Sequence, residues 1–244
     1  PRRKSSSWTL CAGGREPPTP DTAMSLLVHI CCGPCSGAVL ERLLEEGRTP
    51  VGFFYNPNIQ PLAEYLRRRE GAAQMAEKLG VPIIFADALP EDEQRALIGQ
   101  DPGGCFQIGL STRPALPPAA DPLPWLRLVA GKEHERCAPC IGLRLRVTAL
   151  FAQSRGFAAF TSSLLYSRRQ PHGIIAELGR AAAAEQQSLT FHYADWRPLW
   201  QRGIDLSKQW GVYRQPYCGC MFSEYDRYAG DLNRTVRAPV EKEA

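Results

Sequence analysis

Short apolar segments alternate with segments of helical periodicity along most of the chain, and this alternation limits the possible folds more than any other feature. The apolar runs are "SLLVHI" (25–30), "PVGFFY" (50–55), "VPIIFA" (81–86), "GFAAFTSSLL" (156–165) and "LTFHY" (189–193). Between them, apolar residues recur at the spacing of one helical face, as in 61–80 and 139–154. Strands that alternate with helices favour a mostly parallel sheet.

We therefore predict an α/β protein with a mostly parallel, Rossmann-like (HUP-like) sheet and helices on both faces. In such sheets ligands bind beyond the carboxyl ends of the strands, so the site is expected there. Residues 24–223 are predicted to form a single α/β domain that carries the site, with a long loop rich in Pro and Gly at 99–124. Residues 1–23 are expected to be disordered or a non-native extension, and 224–244 a polar tail.

Composition excludes some classes of function and leaves others open. A length of 244 residues, with 44% hydrophobic and 22% charged residues, suits a globular α/β domain. The longest apolar runs are far shorter than the roughly 20 residues of a membrane helix, so we expect no membrane partner and a cytoplasmic location. The net charge of +4 is compatible with nucleic-acid binding without requiring it.

Cysteine is the residue type that points most clearly to chemistry. The chain has nine cysteines, an odd number with clustered spacing, which favours a metal or redox role over a disulfide scaffold. The first group is Cys31, Cys32 and Cys35, at the end of the first predicted strand. Gly33 and Pro34 allow the backbone to turn there, and Ser36 is expected to cap the following helix.

Two further cysteine groups follow later in the chain. Cys137 and Cys140 form a C-x-x-C at the start of a predicted helix, where the helix dipole favours thiolate. Cys218 and Cys220 form a C-x-C that can hold a metal or close a strained, labile disulfide, and Gly219 permits the unusual dihedrals. Seven cysteines exceed the four ligands of a structural zinc. Four thiolates suit an iron–sulfur cluster, and three then remain for redox chemistry or a second metal.

Six motifs occur in a characteristic order: "HICCGPCS", "FFYNPNIQPLAEYLRR", "RCAPCIGLRL", "FTSSLLYS", "ADWRP" and "YRQPYCGCMFS". With them, residues 26–223 resemble the cobalamin-independent epoxyqueuosine reductases of the QueH type. The resemblance implies an oxidoreductase that removes the epoxide oxygen from epoxyqueuosine at the wobble position of tRNA, the last step of queuosine biosynthesis. It also implies a tRNA substrate with a GUN anticodon and an external electron donor such as ferredoxin or flavodoxin.

The resemblance also implies roles for the cysteines. Cys31, Cys32, Cys137 and Cys140 would hold a [4Fe-4S] cluster, and Cys218 and Cys220 would be the redox-active pair. Cys35 stands where some members of the family carry Asp, so it could help to bind a mononuclear iron beside the cluster. Gly33 stands where many relatives have Ala, a difference that is expected to change little.

The remaining candidate residues come from position and motif membership. Asp195 and Tyr217 are candidate proton donors, with a hydrogen-bonded structural role as the alternative for each. Arg168 and Arg169 follow a predicted strand on the side of the site and are candidates for phosphate contacts. Arg197 has the same candidate role, or it is a structural partner of Asp195.

Two other classes of function remain as alternatives. A tRNA-thiolating enzyme of the PP-loop kind would need an S-G-G-x-D-S phosphate loop after the first strand, where this chain has "CCGPCS". The other alternative is a zinc- or cluster-binding module that carries electrons or holds a partner without catalysis. Iron and labile sulfide in anaerobically purified protein would separate a cluster from zinc.

Overall fold

The computed structural model describes residues 25–99 and 116–237, which form a five-stranded sheet and eight α-helices. The strands are β1 (Ser25–His29), β2 (Thr49–Phe54), β3 (Ile83–Phe85), β4 (Ala159–Ser162) and β5 (Thr190–Phe191). The helices are α1 (Gly33–Glu45), α2 (Leu62–Leu79), α3 (Glu91–Ile98), α4 (Leu123–Val129), α5 (Cys137–Ser154), α6 (His172–Ala184), α7 (Trp200–Gln209) and α8 (Met221–Arg237).

The sheet is parallel throughout, with the strand order β3-β2-β1-β4-β5. The central strand β1 pairs on both sides, so that Leu27 lies opposite Val51 of β2 and Phe160 of β4. Every residue of β1 is buried. A parallel strand covered on both faces reads as a continuous apolar run, which is why "SLLVHI" shows no alternation. The predicted α/β fold with a mostly parallel sheet is therefore confirmed.

The helices pack in two groups, as a sheet covered on both faces requires. Helix α1 packs on α2 and α7, whereas α5 packs on α6 and α4. Phe53 of β2 stacks on Phe151 of α5 with 4.4 Å between the ring centroids, which joins the sheet to the second group. No helix within residues 25–99 and 116–237 is long and apolar enough to cross a membrane.

Helix α1 begins four residues earlier than its sequence suggested. Cys32 is the N-terminal flanking residue, and Pro34 lies in the first turn, where its missing N–H costs nothing. Ser36 is therefore not the cap: its hydroxyl donates to the carbonyl oxygens of Cys32 (3.0 Å) and Gly33 (2.9 Å) from inside the helix. As a result Cys35 lies in the first turn of α1, beside the other two thiols.

The chain is also more helical near its later loops than predicted. Residues 1–24, 100–115 and 238–244 lie outside the described residues, and with them the predictions for 1–23 and most of the loop 99–124. The described end of that loop contains a 3₁₀ turn (Pro118–Ala120) and the start of α4. The segment was predicted to be a loop because it is rich in Pro and Gly, but Pro124 fits the first turn of α4. The predicted polar tail after 223 is helical as far as Arg237.

Candidate metal and redox site

The carboxyl ends of β1 and β4 lie side by side where the strand order reverses. From β1 the chain crosses to β2 on one side, and β4 lies on the other side, so this is the topological switch point of the sheet. The backbone N–H of Cys31, just beyond β1, donates to the Ser163 hydroxyl just beyond β4 (3.1 Å). The first cysteine group therefore lies where a parallel sheet is expected to bind its ligand.

The side chain of His29, at the end of β1, forms hydrogen bonds with the ends of β2 and β4. Its Nε2 lies 3.2 Å from the carbonyl oxygen of Tyr55, which can only accept, so Nε2 carries the proton. Its Nδ1, 2.9 Å from the Ser162 hydroxyl, then accepts a hydrogen bond. Burial, followed by the positive charge of Arg144, lowers the His29 pKa to about 4, so the ring is neutral. His29 is therefore a fully buried residue of the core.

The sulfur atoms of Cys31, Cys32 and Cys35 converge on one point. All three lie within 4.8 Å of one another, and the Cys31 and Cys32 sulfurs are 3.8 Å apart. A metal–sulfur distance of about 2.3 Å around a tetrahedral ion separates its sulfur ligands by roughly 3.8 Å. The three thiols can therefore bind a metal ion without a rearrangement of the backbone.

The pKa values of these three thiols are shifted in opposite directions. Hydrogen bonds from Cys32 and Cys35, with smaller contributions from Ser163 and His29, hold the pKa of Cys31 well below its usual range. Burial, followed by the hydrogen bond with Cys31, raises the pKa of Cys32, and the hydrogen bonds with Cys31 and Cys32 raise that of Cys35. Cys31 is therefore the thiol of the set that ionises most readily, and the thiolate is the form that binds metals.

The C-x-x-C pair opens helix α5, as its spacing predicted. Cys137 is exposed at the start of the helix, but partial desolvation still raises the pKa of its thiol, which is opposite to the effect expected of the helix dipole. Cys140 is buried. Cys140 belongs to a small apolar cluster with Trp125, Val129 and Cys220. Helix α4 thus covers Cys140, and the third cysteine group reaches the second through Cys220.

The backbone of the C-x-C loop is held in place by hydrogen bonds from Gln60 and Arg68. Gly219 has a φ of +132°, which the motif needs glycine to adopt. The Gln60 N–H donates to the carbonyl oxygen of Gly219 (2.8 Å), and Arg68 of α2 donates to those of Cys218 (2.6 Å) and Tyr217 (3.2 Å). The predicted disulfide is not seen: all seven cysteines within the described ranges are free thiols.

Two glutamine side chains connect the cysteine groups. Gln215 Nε2 donates to the Cys32 sulfur (2.7 Å) from the segment that leads into the C-x-C loop. Gln170 Nε2, beyond β4, donates to the Cys218 sulfur (3.2 Å). Although the surface of Cys218 reaches solvent, the surrounding protein raises its pKa to about 11 by desolvation. The dithiol is therefore protonated near neutral pH at Cys218.

Arg144 of α5 lies among thiols from all three groups. Its side chain is 2% exposed, and its Nε donates to the carbonyl oxygen of Cys140 (3.1 Å). Burial alone would lower the pKa of Arg144, but Cys140, Cys218 and Cys31, in that order, raise it above its usual range. The structure thus brings the three cysteine groups around one buried cation, which the sequence interpretation did not include.

A cleft of about 800 Å³ opens beside Cys137. Its lining includes Lys132, His134, Cys137, Arg168, Arg169 and Gln170. Arg168 and Arg169 are exposed, and neither forms an ion pair with a carboxylate of the described residues. One cleft therefore contains two arginines without carboxylate partners (Arg168 and Arg169), the exposed Cys137, and Gln170, which donates to the Cys218 sulfur.

Asp195 and Arg197 form an ion pair on the surface. Arg197 Nε and a terminal nitrogen donate to both carboxylate oxygens of Asp195, at 2.8 and 2.6 Å. This pairing with Arg197 lowers the pKa of Asp195 to about 2. The arrangement matches the structural alternative stated for both residues, since each neutralises the other.

Comparisons with known proteins agree with the resemblance in the motifs. The family model "Epoxyqueuosine reductase QueH" matches residues 26–102 and 115–226. This chain belongs to the QueH family of epoxyqueuosine reductases. A relative of that name from Haemophilus influenzae is 35% identical over 214 residues, which are 85% of this chain and 74% of the relative. Those from Acinetobacter baylyi (34%, 84% of the relative) and Thermotoga maritima (30%, 92%) are similar over nearly the same span.

Several residues of the site escaped the sequence interpretation. Arg144 follows Cys140 by four positions, so it shares a helix face with that thiol, and a charged residue in this apolar helix was a usable signal. The sequence did not distinguish Arg68, which is buried, from the neighbouring arginines of "LRRRE" (66–70). Gln170 and Gln215 gave no signal, because their contacts join segments far apart in sequence.

Proposed function

We propose that this chain reduces epoxyqueuosine to queuosine in tRNA. The reaction takes two electrons and two protons, breaks both carbon–oxygen bonds of the epoxide, and yields the cyclopentene and water. The single observation that carries the proposal is the meeting of three cysteine groups at the switch point of a QueH-family sheet. The thiolation and non-enzymatic alternatives are not favoured, because the family match extends over both cysteine-bearing halves of the chain.

The metal centre is proposed to be a [4Fe-4S] cluster held by Cys31, Cys32, Cys137 and Cys140. Two observations besides the thiols suit such a centre. The indole N–H of Trp125 is buried beside Cys140 without a hydrogen-bond partner among the described residues, and metal-bound sulfur can accept one. Arg144 supplies a positive charge. When bound, the centre would supply single electrons, and an iron with an open position would act as a Lewis acid toward the epoxide oxygen.

Cys35 is proposed to bind a mononuclear iron beside the cluster. The Cys35 sulfur lies within 4.8 Å of those of Cys31 and Cys32, so an iron bound by Cys35 would lie next to the cluster that those two cysteines are proposed to hold. That spacing favours a single-ion role for Cys35 over a spare thiol. Native mass spectrometry of wild type and Cys35→Ser would count the metal, and equal iron content in both would contradict this role.

Cys218 and Cys220 are proposed to be the redox-active pair. A dithiol stores two electrons, which matches the two that the reaction consumes. The loop that carries them is anchored by its backbone, so the sulfurs can change oxidation state while the loop stays in place. No Rossmann fingerprint for a bound nicotinamide is present, so an external donor such as ferredoxin or flavodoxin would restore the pair.

The proton donor and the tRNA contacts are proposed from the same cleft and loop. Burial raises the pKa of Tyr217 to about 12, so Tyr217 keeps its proton at neutral pH, whereas Asp195 does not. Tyr217 is therefore the better of the two candidate donors, and Asp195 would hold Arg197 in place. Arg168 and Arg169, free of carboxylate partners among the described residues, would contact phosphates of the anticodon loop.

Mass spectrometry of tRNA nucleosides tests the proposal. The chain, loaded anaerobically with iron and sulfide and reduced chemically, is incubated with tRNA that carries epoxyqueuosine, and we expect queuosine to form. Cys218→Ser should stop turnover with the visible spectrum of the centre unchanged, and the exposed Arg146→Gln should behave as wild type. Iron-loaded protein that leaves epoxyqueuosine intact would refute the assignment.

A further inference from the structure

Arg144 is a buried cation without a carboxylate partner. Its side chain is 2% exposed, and none of the ion pairs within residues 25–99 and 116–237 includes it. Arg68, the other deeply buried arginine, pairs with Glu64 at 2.7 Å. A charge removed from water costs several kcal/mol unless an opposite charge accompanies it. A fold that retains such a cation requires a negative charge beside it.

Thiols are the groups that can provide that negative charge. The strongest electrostatic contributions at Arg144 come from Cys140, Cys218 and Cys31, one thiol from each cysteine group. The Arg144 side chain lies one helical turn after Cys140 and donates to its carbonyl oxygen (3.1 Å). Metal-bound thiolates are permanently negative, unlike free thiols near neutral pH. The cation is therefore balanced only when the thiols are ionised.

We infer that Arg144 is a positioning residue that serves as the counter-charge of the thiolate-bound metal centre and raises its reduction potential. The inference rests on the metal centre of the proposed function. Reduction adds an electron to a centre that is already negative, and a nearby cation stabilises the added charge. The effect is strong because the guanidinium and the Cys140 thiol are buried, where charges are poorly screened.

A redox titration of the loaded protein tests this inference. The full chain is reconstituted anaerobically with ferrous iron and sulfide, and its midpoint potential is followed by visible absorbance. We expect Arg144→Gln to lower the equilibrium constant for one-electron reduction about tenfold, or 59 mV. Arg144→Lys should retain most of the wild-type potential. Arg146→Gln, two positions further along the same helix and exposed, should leave the potential unchanged.

The stability of the metal-free protein is a second, independent measurement. Without metal the buried guanidinium lacks its full counter-charge, so metal-free Arg144→Met should be at least as stable to urea as metal-free wild type. With metal bound, the wild type should be the more stable of the two. A neutral variant that folds but takes up no iron, while Arg144→Lys loads normally, would also support the inference.

Three outcomes would overturn it. An unchanged potential in Arg144→Gln would show that the charge does not act on the centre. Equal shifts in Arg144→Gln and Arg144→Lys would show that shape matters and charge does not. Loss of folding in metal-free Arg144→Met would make Arg144 a structural residue. An iron-loaded wild type that fails to convert epoxyqueuosine would refute the activity alone, because the potentials are measured without turnover.

Discussion

Gly33, between Cys32 and Cys35, lies where the fold leaves no room for a side chain. A β-carbon at this position would lie 2.4 Å from the carbonyl oxygen of Gly71 and 2.7 Å from Val212 Cγ1. The expectation that Ala here changes little is therefore wrong for this chain, because α2 approaches α1 too closely. We predict that Gly33→Ala destabilises the protein by about 1–3 kcal/mol in urea unfolding.

Gly230→Ala in α8 is the matched control for Gly33→Ala. No atom lies within 4 Å of a β-carbon built at Gly230, and the residue is exposed within the helix. Alanine there should be neutral or stabilising by at most about 1 kcal/mol. A Gly33→Ala variant as stable as Gly230→Ala would mean that α1 and α2 can separate without cost.

Gln170 lowers the pKa of Cys218 through one hydrogen bond. Its amide donates to the Cys218 sulfur (3.2 Å) and opposes the desolvation that raises the Cys218 pKa to about 11. Gln170→Leu should raise this pKa further, by about one unit for 1.4 kcal/mol of lost thiolate stabilisation. Alkylation of metal-free protein by iodoacetamide, followed at the Cys218 peptide, should then slow about tenfold at pH 8.

The pH dependence of that alkylation gives a further check. Only the thiolate reacts, so the rate in both proteins should rise with pH. The difference should narrow above pH 11, because wild-type Cys218 is then mostly ionised and its rate stops rising. Gln187→Leu, an exposed glutamine after α6, should react as wild type does. Identical rates in wild type and Gln170→Leu at pH 8 would rule out the hydrogen bond in solution.

Helix α2 holds the C-x-C loop through the buried Arg68–Glu64 pair. Arg68 Nε lies 2.7 Å from Glu64, its terminal nitrogens hold two loop carbonyls, and the Tyr213 hydroxyl donates to the same carboxylate (2.7 Å). Arg68→Met would leave the carboxylate buried without its cation. We expect a loss of about 3–5 kcal/mol in urea unfolding.

The double variant Glu64→Leu/Arg68→Met separates charge from packing. It removes both charges, so it should recover part of the stability that Arg68→Met loses. Arg67→Met, the exposed neighbour, should change stability by no more than about 0.5 kcal/mol. A double variant less stable than Arg68→Met would show that Glu64 stabilises the fold through its hydrogen bond with the Tyr213 hydroxyl, independently of its charge pair with Arg68.

The elements of this fold could be predicted well where the signal is local. Continuous apolar runs identified β1 and β2, and the C-x-x-C at the start of α5 was placed correctly. Helix α4 was missed, because its prolines belong equally to a loop and to a first helical turn. The start of α1 was predicted too late, because both Pro34 and Ser36 are residue types common at the beginning of helices. The sequence did not show that the helix already begins before Pro34.

At the scale of the whole molecule, the sequence identified the cysteine groups but not the arrangement between them. The strand order β3-β2-β1-β4-β5 decides that Cys31 meets Ser163, and no periodicity encodes that order. The contact of Cys220 with Cys140 and the central position of Arg144 depend on the same non-local packing. Clustering of a rare residue type thus predicted the chemistry, and the fold supplied its geometry.

The charge of the whole molecule leads to the last prediction, on tRNA binding. A net charge of only +4 means that affinity for a polyanion must come from a local concentration of cations, and the cleft beside Cys137 offers one at Arg168 and Arg169. Each phosphate contact that is lost should reduce the slope of log K against log salt by about 0.7–0.9.

Fluorescence anisotropy of an anticodon stem-loop across a KCl series should therefore give a slope shallower by roughly twice that amount for Arg168→Ala/Arg169→Ala. Arg146, which pairs with Glu185 just after α6, serves as the control, and Arg146→Ala should keep the wild-type slope. An unchanged slope in the double variant would place the anticodon loop elsewhere on the surface.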